Sequence, residues 1–106
     1  MTSPAYTITH ERTPTGALRV ILTGDFDMSI GDALSTSLLE AAHRPEITHI
    51  VVDLEHTRFI DSHIVASLVT GYRAALTAKR GFTVVNGHGT VQQVLDVTGL
   101  SEVLCT

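Results

Sequence analysis

A single cysteine, Cys105, stands among the 106 residues, so the chain forms no internal disulfide and offers no cysteine pair at metal-binding spacing. That usage fits a reducing cytoplasm and predicts a free surface thiol near the C-terminus. Basic side chains are scarce: seven Lys and Arg against eleven Asp and Glu give a net charge of -4, and the positive footprint that nucleic-acid binding needs is missing. No apolar run approaches the roughly 18 residues of a membrane span, and the first residues lack the basic start and apolar stretch of a signal peptide. Neither nucleic acid nor a membrane is expected as a partner, and the chain reads as cytoplasmic.

Several catalytic signatures are absent as well. The six histidines (10, 43, 49, 56, 63 and 88) show no HExxH and no consistent i, i+4 pairing, so no metal and no cofactor is expected. Gly87-His-Gly89-Thr has no Lys where a phosphate-binding loop requires one, and it reads as a structural turn. Asp25, Asp27, Asp53 and Asp61 lack the adjacent acidic pair and the late Lys of an aspartyl-phosphate pocket. Ser62 with His56 or His88 as base would be a hydrolase arrangement, yet the GxSxG elbow is missing. The protein is therefore not expected to be an enzyme.

What is present is an ordinary globular composition, 43% hydrophobic and 17% charged, in a chain long enough for one domain over residues 1–106. Residues 6–11 and 17–23, joined by Pro14-Thr15-Gly16, read as a β-hairpin. Ile30, Ala33, Leu34, Ser37 or Leu38, and Ala41 follow the spacing of an amphipathic helix, capped by Asp27 or Ser29 and ended before Pro45. Residues 47–54 form a continuous apolar run, predicting a central strand covered on both faces. Ile64, Val65, Leu68, Val69, Tyr72, Ala75 and Leu76 make one stripe on a long helix that starts near Asp61-Ser62 and stops before Gly81. Residues 82–85 predict a strand, 86–89 a loop, 90–97 a helix stopped by Gly99, and Val103-Leu104 an edge strand. The fold class is α/β: a hairpin, then two βαβ units forming a mixed sheet with helices packed against it.

In such a fold the turns after the parallel strands share one edge, the usual place for function. That edge would collect Asp25, Asp27, His56, Asp61, Ser62, Asn86 and His88. Asp61 and Ser62 are both favoured N-cap residues, and either would contribute about 1 kcal/mol to the long helix as its cap. A hydroxyl there is also exposed near the positive end of the helix dipole, where a phosphate dianion is accommodated without unfolding anything.

Val-Val-Asp-Leu-Glu-His-Thr-Arg-Phe-Ile-Asp-Ser over residues 51–62, with Gly-Asp-Phe-Asp over 24–27 and Val-Leu-Asp-Val-Thr-Gly-Leu over 94–100, resembles STAS domains of the bacterial anti-sigma factor antagonist type. The order of elements agrees over nearly the whole chain. The resemblance implies a phosphoprotein of transcription regulation that works by protein-protein interaction. Its partner would be an anti-sigma factor that is also a serine kinase, Ser62 the phosphorylation site, and a serine phosphatase the reset. Unphosphorylated, it would bind the partner and free a sigma factor. The implied partner-binding face comprises Asp25, Asp27, Asp61, Ser62, His63, Ile64, Val65, Asn86 and His88. In place of the family's small residue, Gly, apolar residue and small residue after the Ser, this chain has His63, Ile64, Val65 and Ala66, and Ile64 is expected to obstruct close approach by the usual kinase or to define a different partner. The alternative reading is a constitutive STAS adaptor, part of a larger complex such as a lipid-transport assembly or a partner-locked regulator, with Ser62 only a helix cap.

Overall fold

The hub of the structure, a computed structural model describing residues 6–104, is a ten-residue strand, β2 (Ala17–Phe26). Its alternation buries Leu18, Val20 and Leu22 completely and leaves Arg19 and Ile21 on the opposite face, as the period-2 geometry of a strand requires. The preceding strand β1 (Tyr6–Arg12) pairs with it antiparallel, giving the predicted hairpin.

A 3₁₀ turn, Met28–Ile30, leads into α1 (Gly31–Ala42). Asp27 caps this turn, accepting from Ser29 N at 2.9 Å and Ser29 Oγ at 2.5 Å, while α1 itself has no side-chain cap. The chain then forms β3 (His49–Asp53), parallel to the first half of β2. Next come β4 (Thr57–Ile60), parallel to the second half of β2, α2 (Ser62–Thr77), β5 (Gly81–Val85) beside β3, α3 (Gly89–Val97) and α4 (Ser101–Leu104). The sheet order is β1-β2-β3-β5 with β4 on β2, the mixed α/β sheet that the sequence predicts.

All helices pack on one face. Leu34 and Leu38 of α1, Ile64 and Leu68 of α2, Val91 and Leu95 of α3 and Leu104 of α4 join Leu18, Val20, Ile50, Val52 and Val84 of the sheet in one core. Burying each large aliphatic side chain contributes about 1.5 to 3 kcal/mol. The helices α1 and α2 approach closely at Gly71, where an added Cβ would fall 2.8 Å from Leu38 Cδ1 and 3.1 Å from Phe82 Cε2.

Two predictions are corrected, and one strand is added. β3 is covered on one face only: Ile50 and Val52 are buried, whereas Val51 on the other face is half-buried. The run is continuous because this open face also carries an apolar residue there. Val103-Leu104 is not an edge strand but belongs to a helical turn, in which Leu104 N donates to Leu100 O at 2.8 Å and Leu104 is buried in the core. The strand β4 occupies residues 57–60, between the predicted central strand and the long helix, where no element is predicted. Cys105 lies outside the described residues.

Candidate functional site

The start of α2 is organised by Asp61. Its backbone is extended (φ -115°, ψ -175°) and its Oδ1 accepts from His63 N at 3.0 Å and Ile64 N at 3.1 Å. Two of the helix's free N–H groups are thus satisfied by one carboxylate. Ser62 is the first helical residue, exposed and relieved of capping, which corrects the reading of Ser62 as merely the cap. A second correction concerns Ile64 and Val65, which are 0% and 5% exposed. Their side chains enter the core one turn before Leu68 and are not presented at the surface. His63 and Ala66 stay outside.

The neighbouring loops are held close to this point. Ser67 Oγ donates to Gly31 O at 2.9 Å, and an added Cβ on Gly31 would lie 3.8 Å from His63 Cβ, so the start of α1 abuts the first turn of α2. On the sheet side, Gly24 pairs with Thr57 but Asp25 pairs with Phe59 and Phe26 with Ile60. Arg58 is thus an extra residue, a β-bulge. Thr57 Oγ1 anchors the strand by donating to Leu22 O at 2.6 Å, and Ile60 is buried at 1% exposure. Between them Arg58 and Phe59 both face solvent, Phe59 at 46%. Arg58 and Asp25 form a solvent-exposed ion pair at 3.3 Å, of the kind worth at most about 1 kcal/mol. The Ser29 hydroxyl and then its backbone N–H hold the Asp27 carboxyl below the usual carboxylate range.

Asn86 and His88 belong to a different group. Asp53, at the end of β3, is nearly buried and accepts four bonds: Arg19 Nε at 3.0 Å and Nη2 at 2.5 Å on Oδ2, Glu55 N at 2.9 Å and Asn86 Nδ2 at 3.0 Å on Oδ1. Desolvation pushes its carboxyl up. The bonds from Glu55 and Asn86 together with Arg19 outweigh that, so it titrates below the ordinary range. His88 Nε2 lies 2.8 Å from Glu55 O, and His56 O accepts from Gly24 N at 3.0 Å. Four residues of β4, about 13 Å of extended chain, separate this cluster from Ser62. The residues of the face proposed from the sequence thus fall into two hydrogen-bonded groups, Asn86 and His88 around Asp53 and Glu55, and Asp61 with Ser62 and His63 at the start of α2.

The remaining histidines are tied locally. His10 Nε2 meets Ser37 Oγ at 2.6 Å, His43 Nδ1 meets Leu39 O at 2.7 Å and His49 Nε2 meets Thr83 Oγ1 at 3.1 Å. Among the described residues no three His, Cys, Asp or Glu side chains come together as a metal-ligand set. Arg58 and Phe59 escaped the sequence reading. The signal was available in the β-prone pair Phe59-Ile60 immediately before Asp61.

A family model described as Mlab, STAS domain matches residues 9–106. An anti-sigma F factor antagonist of Paenibacillus polymyxa is 27% identical over 89 residues, 84% of this chain and 76% of that protein. Among solved structures, an anti-sigma factor antagonist from Mycobacterium paratuberculosis superposes with a TM-score of 0.83 at 24% identity, covering 98% of this chain and 87% of that one. The phosphorylated form of the Bacillus cell fate determinant SpoIIAA gives 0.73 at 19% identity, covering 91% and 86%. With the family model spanning nearly the whole chain, on a mixed sheet whose helices lie on one face, the protein belongs to the STAS domain family.

Proposed function

We propose that this protein is an anti-sigma factor antagonist that binds an anti-sigma factor through the end carrying Ser62 and is released when the partner phosphorylates Ser62. The observation that carries the reading is the division of labour at the start of α2: Asp61 holds the cap, and the Ser62 hydroxyl stays exposed. A modifiable serine must reach a kinase without dismantling its own fold, and this one does.

The chemistry needs no cofactor in this chain. The Ser62 oxygen attacks the γ-phosphorus of ATP held by the partner, the new O–P bond forms as the bond to ADP breaks, and the hydroxyl proton passes to a base of the kinase. The product adds about 1.5 to 2 negative charges beside Asp61, facing the nucleotide's remaining phosphates. Each 1.4 kcal/mol of that repulsion weakens binding about tenfold. A serine phosphatase restores the free hydroxyl. Such a regulator works in the bacterial cytoplasm. No helix among the described residues is long and apolar enough to cross a membrane.

Intact-protein mass after incubation with ATP and each candidate anti-sigma kinase of the same genome tests the proposal, with Ser62→Ala as control. One phosphoryl group added to wild type alone is the expected result. A tightly bound partner that adds none would overturn the switch and favour a constitutive adaptor.

A further inference from the structure

We propose that Phe59 is the anchor by which the Ser62 end docks, and that the partner offers an apolar pocket rimmed by basic side chains; this rests on the reading of that end as the partner-binding face. The bulge at Arg58 turns a phenyl ring outward in a strand whose flanking residues Thr57 and Ile60 are buried. The large hydrophobic side chains exposed elsewhere, Leu76, Val97 and Val103, lie at the far end of α2, at the end of α3 and on α4. Bulges commonly re-aim side chains beside functional sites, and aromatic rings in an otherwise polar patch are the residues that most often dominate docking energy.

Charge settles the chemistry of the rim. Beside Phe59 stands Asp25 across the strand, with Asp27 beyond it and Asp61 two residues on, while Asp32 lies in the first turn of α1, which abuts the first turn of α2. Arg58, paired with Asp25, offsets one of these charges and leaves the edge net acidic. An acidic rim around an apolar centre is complementary to a basic rim around a pocket. Phe59 lies three residues before Ser62, about 10 Å of extended chain, so the ring holds the complex without occupying the site of phosphoryl transfer.

The test is binding kinetics with an anti-sigma kinase that recognises wild type, using Phe59→Ser, Phe59→Leu, Asp32→Lys and Ser62→Asp, each checked for an unchanged melting temperature. Phe59→Ser is expected to weaken binding about thirtyfold, chiefly through faster dissociation, with Phe59→Leu retaining most of the affinity should the serine variant melt early. Asp32→Lys is expected to slow association and flatten the salt dependence. Full affinity in Phe59→Ser, with Ser62→Asp abolishing binding, would remove the anchor and leave the face intact. Unchanged binding in every variant would remove the face as well. A dimer of wild type alone in sedimentation, dissolved by Phe59→Ser, would assign the ring to a second copy and overturn the proposal.

Discussion

Two polar clusters close the same edge of the sheet, and they differ in what their side chains have left to offer. Around Asp53 every carboxylate oxygen is taken, by Arg19, Glu55 N and Asn86, and His88 is tied to Glu55 O. Around Ser62, Asp61 and Asp27 are each engaged with a local turn and Asp25 with the exposed Arg58, while Ser62, His63 and Phe59 face solvent. The first cluster joins the ends of β3 and β5. The second leaves the Ser62 hydroxyl and the Phe59 ring exposed. Polar residues that satisfy one another stabilise a fold, and those left unsatisfied on a rigid edge are where recognition begins.

The sharpest way to break this contrast is Asp53→Ala, which deprives Arg19, Asn86 and Glu55 N of their acceptor and is expected to cost about 2 kcal/mol in urea unfolding. Next comes the helix cap: Asp61→Ala is expected to lose about 1 kcal/mol, whereas Ser62→Ala should stay within about 0.5 kcal/mol of wild type in the same assay. Equal losses from the two would mean that Ser62 shares the cap. The finest test is pH. Because the Asp53 carboxyl is held below its ordinary value in the folded state, its contribution is full above about pH 4, the unfolded range, and is lost as pH falls through the lower folded value. The stability advantage of wild type over Asp53→Asn should therefore shrink between pH 5 and strongly acidic solution, as followed by unfolding at each pH; an advantage constant with pH would contradict the assignment.

The helices and the mixed sheet were legible because their signals are long and periodic. Ile64, Leu68 and Ala75 announce the buried side of α2 by spacing alone. That same stripe already argued against placing Ile64 and Val65 on a partner-binding face, and the structure sides with the periodicity. β4 was legible only in the β-prone pair Phe59-Ile60, because a bulge destroys its alternation: four residues run buried, exposed, exposed, buried, a pattern matching neither strand nor helix. The edge inferred from topology carries two hydrogen-bonded groups, one around Asp53 and one at the start of α2, which spacing alone does not tell apart. Val103-Leu104 failed for want of length, since two apolar residues fit a strand or a helical turn equally.

The carboxylate of Asp61 has one further consequence, for how the edge tolerates change. With the His63 and Ile64 N–H groups held by Asp61, the start of the helix does not depend on the side chain at position 62, and substitutions there cost the fold little. Drift at that position is then limited by what the side chain meets and not by the stability of the domain.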